Sequence, residues 1–222
     1  MTLLFYYNLF LLVFLVTFEV SGGEKQWMFQ SEAKWDREWK SGEWNYMEKV
    51  AVERSKNSII GSVLVQMYSY PNASVLDIGC GEGPISDFLT DAQKARYVGV
   101  DLSQIAIQNA RKLRPPPIKF VHAAAHRFHP QHTFDVIIFS DVLYYVEHEK
   151  VLQQYNGYLN PNGILIISIF HQSKQLYEHI FNFARSIFDK IDFMDISGQT
   201  KKGLSDKVEL TSFHIEVYRK KP

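Results

Sequence analysis

Residues 74–90 read SVLDIGCGEGPISDFLT, and the reading of this stretch decides the fold. Val75, Leu76 and Ile78 make a short apolar β-type run, Gly79, Gly81 and Gly83 follow at alternate positions, and Ile85, Phe88 and Leu89 then recur at helical spacing. The pattern predicts a strand, a tight glycine turn and a helix. Glycine has no Cβ, so the backbone can bend sharply there and let a ligand lie against it. Pro84 suits the first helical turn, where the N–H it lacks would have no intrahelical partner. A cofactor is expected over the turn.

The glycine spacing selects between cofactors. A G-x-G after a strand also opens the dinucleotide-binding fold, in which a third glycine falls three places after the second. Here that place holds Pro84, and the third glycine stands at Gly83. The pattern D-x-G-x-G-x-G, beginning at Asp77, resembles motif I of the class I S-adenosylmethionine (SAM) dependent methyltransferases. The resemblance implies that Gly79, Gly81 and Gly83 pass under the methionine part of SAM. It also implies that Asp77 helps bind the cofactor's amino group, directly or through water.

A second anchor lies downstream. Residues 97–100 form another apolar run ending in Asp101, and Ile105, Ile107 and Ala110 begin a helical pattern. A carboxylate at the end of strand two can accept both ribose hydroxyls, and in related nucleotide sites it stands on the order of twenty residues from the glycine turn. The competing role is a helix N-cap, which Asp101 and Ser103 both suit. In VGVDLSQIAIQNAR the resemblance makes Asp101 the ribose ligand and Leu102 the residue that packs on adenine. The family usually carries an acidic residue after strand three for the adenine amino group. The matching place in FVHAAAHRF holds Ala124, which leaves a main-chain N–H near Ala125 to serve adenine.

Strand four is predicted over residues 134–139, a nearly continuous apolar run of the kind found when both faces are covered. It ends in SDVLYYV. Ligands of open parallel sheets sit outside the carboxyl ends of the strands, so Ser140, Asp141, Tyr144 and Tyr145 fall where a methyl group is delivered. One of the two tyrosines is expected in the core and the other in the acceptor pocket, with Tyr145 the catalytic candidate. VLYY is similar to the segment of nodulation-type N-methyltransferases acting on amino-sugars and of the broad type 11/12 methyltransferase group. A helix is predicted over 150–159, closed by a turn at Asn160-Pro161-Asn162-Gly163, and strand five over 164–170. His171 stands just past that strand; a lone histidine is more often structural, but here it becomes a general-base candidate beside Asp141. A helix over 174–190 precedes two runs, 191–196 and 213–219, read as a hairpin with a long polar connection containing Lys201, Lys202 and Gly203. The resemblance implies an α/β, doubly wound, seven-stranded, mostly parallel Rossmann-like sheet with an antiparallel last strand.

The chain before strand one divides in two. Residues 1–23 hold an almost unbroken apolar run, LFLLVFLVTF at 9–18, and read as a signal peptide or short membrane anchor; a start at Met28 is the alternative. The first reading gives a secretory or membrane-anchored protein, associated with the membrane through residues 1–20 and with Asn72 in Asn72-Ala73-Ser74 as a glycosylation acceptor. The second gives a cytoplasmic one. Residues 24–60 are read as an N-terminal helical lid and 61–222 as the methyltransferase domain. SEAKWDREWKSGEWNYM, residues 31–47, could simply pack a helix on the sheet edge. Within it WKSGEW is similar to the N-terminal arm of small-molecule and sugar methyltransferases, where Gly42 would supply a hinge. A helix over 48–60 is predicted to bury Val50, Ala51, Ile59 and Ile60, with Arg54 on a solvated face rather than at the cofactor carboxylate.

Composition narrows the acceptor. Among 222 residues, Lys and Arg number 24 and Asp and Glu 24, a formal net charge of zero. There is no basic footprint for long nucleic acid, which favours a small or uncharged acceptor. Cys80 is the single cysteine, so no intrachain disulfide can form. His126, His129 and His132 recur by threes, but Pro130 interrupts them and no acidic or sulfur ligand joins them, so a surface loop and no metal are expected. The small-RNA 3′-end methyltransferases carry an E-x-x-H arrangement after strand four. Here Glu147 is followed three places later by Lys150, which argues against RNA. The reading is a SAM-dependent methyltransferase acting on a small molecule, with a saccharide hydroxyl or amine first among acceptors. The alternatives are a protein or lipid-like acceptor, or a module that binds SAM without turnover.

Overall fold

The computed structural model describes residues 30–170, 174–201 and 208–221. The expected leader over 1–23 and the catalytic candidate His171 lie outside the described residues. Seven strands, β1 Val75–Ile78, β2 Tyr97–Asp101, β3 Lys119–His122, β4 Phe134–Ser140, β5 Leu159–Phe170, β6 Phe188–Lys201 and β7 Val208–Lys220, form one sheet in the order β3-β2-β1-β4-β5-β7-β6. The first five are parallel, and β7 runs antiparallel to both β5 and β6. This is the doubly wound, mostly parallel arrangement expected, with the last strand reversed.

Strand alternation feeds two cores. Ile164 and Ile166 enter one cluster with Val75, Ile60, Leu64 and Ile107, while Leu165 and Ile167 enter the other with Leu76, Leu152 and Phe181. Covering both faces is why these strands read as continuous apolar runs. β1 pairs with β2 on one side and β4 on the other. The chain therefore winds away from β1 in opposite directions, and a crevice opens at the carboxyl ends of the strands.

The flanking helices are α1 Glu32–Ser41, α2 Ala51–Ser58, α3 Val65–Tyr68, α4 Asp91–Lys94, α5 Gln104–Leu113, α6 His148–Asn156 and α7 Lys174–Ile187. α2 passes into α3 through a wide π turn, Ile59–Leu64. Close approach marks that turn: a Cβ on Gly61 would stand 2.8 Å from Phe88 Cβ and 2.9 Å from the Ile85 carbonyl. Among the described residues no helix is long and apolar enough to cross a membrane.

Several predicted elements are corrected. The helix after the glycine turn is only a 3₁₀ turn, Pro84–Phe88, because Leu89 is extended and Thr90 opens a new capping box with Gln93 that starts α4. The helix predicted over 48–60 begins at Ala51, which is exposed; it buries Val52, Glu53, Lys56 and Asn57, while Ile60 just beyond it is buried as expected and Val50 and Ile59 are partly so. The turn at Asn160–Gly163 lies inside β5 as a bulge, where the register steps from Phe134↔Leu159 to Val136↔Ile164 and Asn162 takes φ +62°. The long polar connection is mostly strand, since β6 and β7 pair from Phe188↔Lys220 to Lys201↔Val208. An edge hairpin has few apolar neighbours to face, so its strands carry polar residues that read as loop.

Candidate active site

The glycine turn is held by β2. Gly79 and Cys80 N–H both donate to the Val100 carbonyl, at 2.8 and 3.1 Å, and the turn takes left-handed φ values of +74°, +55° and +85° at Gly79, Gly81 and Gly83. A Cβ on Gly79 would stand 2.6 Å from Val142, so a side chain would strain the backbone and collide as well. Asp101 closes the arrangement from the neighbouring strand. Its Oδ2 accepts the Gly81 N–H at 2.8 Å and its Oδ1 the Ser103 N–H at 2.8 Å. The two anchors recognised twenty residues apart are thus one hydrogen-bonded unit. The N-cap of α5 is Ser103, whose Oγ accepts the Ala106 N–H at 3.1 Å, leaving Asp101 for the crevice. Burial raises the Asp101 carboxyl pKa against the lowering effect of the two N–H donors.

Beneath the turn two buried polar atoms of opposite kind stand without partners. Asp77 is 1% exposed; its Oδ2 accepts from the Tyr97 hydroxyl at 2.7 Å, while Oδ1 has no hydrogen-bond partner. Burial lifts its pKa to about 7. Asn57 is 2% exposed, and its Nδ2 is likewise unsatisfied. Both line a small cavity with Met47, Gly79, Cys80 and Ser140. Leaving a buried donor or acceptor unmade costs about 1–3 kcal/mol each. A carboxylate acceptor beside an amide donor suits the ammonium and carboxylate of an amino-acid zwitterion, the methionine end of SAM. Sequence reasoning missed Asn57, because polar residues at 53, 56 and 57 read as the solvated face of a helix. Arg54 is exposed, with Nη1 on the Glu48 carbonyl at 3.4 Å.

A second missed residue, Lys56, reaches across 85 positions to the end of β4. Its ammonium lies 2.5 Å from Asp141 Oδ2 and 3.0 Å from Glu53 Oε2, and 4.3 Å from the centre of the Phe213 ring, with the side chain 1% exposed. Burial pushes Lys56 down, but Asp141 and Glu53 outweigh it, and the lysine stays charged. Glu53 is raised by burial in spite of Lys56, whose ammonium lies closer to Asp141. Asp141 itself takes φ +56°, unusual for a residue with a side chain, and its buried Oδ1 has no partner. Ser140 Oγ lies 3.4 Å from Asp141 Oδ2. Tyr144 and Tyr145 are raised by burial first and then by Asp141, and Tyr46, whose side chain is partly exposed, by the burial of its hydroxyl and then by Glu53 and Asp141, so all three remain protonated. Tyr145 meets Trp35 edge-on with ring centres 4.9 Å apart, whereas Tyr144 packs against the core cluster of α6 and α7.

α1 lies across the carboxyl ends of β1, β2 and β3. Ser31 caps it and Gly42, at φ +79°, ends it. Asp36 Oδ1 accepts from Ser103 Oγ at 2.6 Å and from the Ile105 N–H at 3.2 Å, Glu32 lies 3.0 Å from His122, and the Trp39 ring sits where a Cβ on Gly81 would come within 2.9 Å. The helix buries none of its residues fully. Toward the adenine end, Leu102 and the two alanines are half-buried; the Leu102 carbonyl lies 3.0 Å from His122 Nε2, and the Ala125 carbonyl accepts from the Tyr155 hydroxyl at 2.9 Å. Ala124 precedes the 3₁₀ turn Ala125–Arg127 and offers no side-chain contact there. His126, His129 and His132 are exposed, with His129 on the Tyr158 hydroxyl and His132 against the Phe134 ring.

The strand order and a glycine turn braced by a neighbouring carboxylate define a class I methyltransferase domain. Residues 56–200 match the methyltransferase domain family, and the chain belongs to it. It is 25% identical over 142 residues to the ubiquinone biosynthesis O-methyltransferase of Rickettsia felis, covering 62% of this chain and 57% of that protein. It is 29% identical over 129 residues to the trans-aconitate 2-methyltransferase of Rhodopseudomonas palustris, covering 57% and 50%. The human mitochondrial arginine-hydroxylase NDUFAF5 is 26% identical over 120 residues, 52% of this chain and 34% of that one. The chain therefore spans between about a third and somewhat over half the length of these relatives. Among solved structures, the N-methyltransferase NodS of Bradyrhizobium japonicum WM9, in complex with S-adenosyl-L-homocysteine, superposes with a TM-score of 0.64 at 17% identity, over 79% of this chain and 90% of that one.

Proposed function

We propose that the protein is a SAM-dependent methyltransferase whose acceptor is a small molecule bearing a hydroxyl or amine. The observation that carries the cofactor assignment is that Asp77 Oδ1 and Asn57 Nδ2, an unsatisfied acceptor and an unsatisfied donor, belong to residues lining one cavity under the glycine turn. The names of the relatives, an O-methyltransferase of ubiquinone biosynthesis and a trans-aconitate methyltransferase, support a small acceptor. So does α1, which covers the crevice where an extended chain would have to lie. A saccharide acceptor is the reading favoured by the VLYY segment.

In this reading Asp101 accepts the ribose hydroxyls while keeping the turn in place, Asp77 faces the ammonium and Asn57 the carboxylate of the cofactor. When bound, SAM supplies an electrophilic methyl on a sulfonium, and the electron pair of the broken C–S bond leaves on a neutral sulfur. The protein's part is to align the acceptor and exclude water. Lys56 fixes Asp141 through Oδ2, so that Oδ1 can accept the acceptor's proton as its lone pair attacks the methyl carbon. Tyr145 and Trp35 wall the acceptor from solvent.

The test follows a labelled methyl group from SAM into a panel of sugars, amines, carboxylic acids and peptides. Label is expected in a small acceptor, and the Asp141→Asn variant is expected to lose about 10²–10⁴-fold in turnover with SAM affinity changed by less than about threefold. Transfer to peptides alone would overturn the acceptor class. SAM binding without transfer to any member of the panel would favour the non-catalytic module.

A further inference from the structure

We infer that the chain carries a transition-metal site, of the kind that takes zinc, at His148, Glu149 and His179. Among the described residues these three side chains each offer one ligand atom, and the three atoms lie within 4.8 Å of one another. His148 opens α6 and is fully buried; His179 faces it from α7, with the two rings 5.1 Å apart and nearly perpendicular. Glu149 Oε1 lies 3.3 Å from His179 Nε2. The packing of α6 on α7 sets this geometry, which joins residues thirty positions apart.

The chemistry of the set selects the ion. Two imidazoles and one carboxylate suit Zn²⁺, whereas Mg²⁺ and Ca²⁺ prefer oxygen alone. Three protein ligands leave a fourth position open, as in catalytic rather than structural zinc sites. Bonds of about 2.0–2.2 Å in a tetrahedron put ligand atoms roughly 3.4 Å apart, so the group must contract by about an ångström. Glu149 and His179, 38% and 39% exposed, have the freedom to move onto a fixed His148. The expectation of no metal looked instead to His126, His129 and His132, and to Glu147 with Lys150. None of those five residues belongs to this group.

His148 opens the helix that follows β4, so the ion would stand toward the carboxyl ends of the strands. Metal binding itself does not rest on the methyltransferase reading.

The experiment loads the full chain with ZnCl₂, dialyses it and measures zinc per chain by mass spectrometry, with affinity from competition against a chromophoric chelator. One zinc per chain is expected. His179→Ala and Glu149→Gln should each weaken binding at least tenfold, and the double variant should retain none; circular dichroism checks that the folds are unchanged. A triple variant, His126→Ala with His129→Ala and His132→Ala, should keep the zinc. No uptake by the wild type, zinc retained by the double variant, or zinc lost from the triple variant overturns the site. SAM titration of the metal-free chain runs alongside. Failure there with zinc uptake intact would sink the methyltransferase reading and leave the metal site standing.

Discussion

Two acids, Asp77 in β1 and Glu216 in β7, are buried in the same sheet and shift in opposite directions. Burial raises both carboxyls, and what differs is the supply of donors. Glu216, 0% exposed, receives Arg185 through both its oxygens, the His214 ring at 3.2 Å and the Tyr218 hydroxyl, with Lys190 at 3.6 Å, and is lowered to about 2. Asp77 has one phenol and an empty-handed second oxygen, and rises to about 7. A fully satisfied buried charge is a structural device; a half-satisfied one is a site prepared for a partner that brings its own charge.

The largest effect is expected from Glu216→Gln, which removes the centre of the network and should cost about 3 kcal/mol in urea denaturation, with no change in SAM affinity. A weakened cofactor would mean that the two clusters are coupled. The wild type should also lose stability as pH falls from the ordinary carboxylate range toward about 2, because the stabilisation from a lowered pKa exists only while Glu216 is ionised. Next in size, Asp101→Ala should weaken SAM binding on the order of a hundredfold by calorimetry, since it removes one charge-assisted bond to the turn at Gly81 and another to Ser103, as well as the ribose ligand. Retained binding would contradict the site.

Asp77 gives a sharper test with the opposite sign. Its raised pKa favours the protonated form in the folded protein, so this contribution to stability is complete below the ordinary carboxylate value and is lost as pH rises to about 7. An incoming ammonium needs the ionised form. SAM affinity should therefore fall by up to about tenfold per pH unit below pH ~7, and Asp77→Asn should flatten that profile while weakening binding at high pH. A wild-type profile that is already flat would remove Asp77 from the cofactor site. The smallest effect belongs to Asn57→Ala, which should weaken SAM about fivefold, roughly 1 kcal/mol, and leave stability unchanged or slightly improved because an unsatisfied donor is gone.

The same contrast explains what was legible beforehand. Gly79, Gly81, Gly83 and Asp101 were readable because a left-handed turn and a strand-end carboxylate are local requirements that restrict residue type at fixed spacing. The five parallel strands were readable because burial on both faces demands continuous apolar runs. Lys56, Glu53 and Asn57 were not, since a charged face on a helix ordinarily means solvent, and only the packing of α2 over β6 and β7 turns it inward. β6 was half missed because an edge strand is polar on purpose, and the capping box at Thr90 cut short a helix that the apolar spacing continued.

By itself the sequence determined the bend at residues 79–83, a matter of backbone conformation and of which residues tolerate it, while the sheet's winding was implied by the family resemblance that this bend carries. Only the tertiary structure decided which side chains meet across it: Lys56 with Asp141, Asp36 with the start of α5, His148 with His179. Such contacts depend on how helices settle on the sheet, and no local rule of residue type encodes a meeting between positions 85 residues apart.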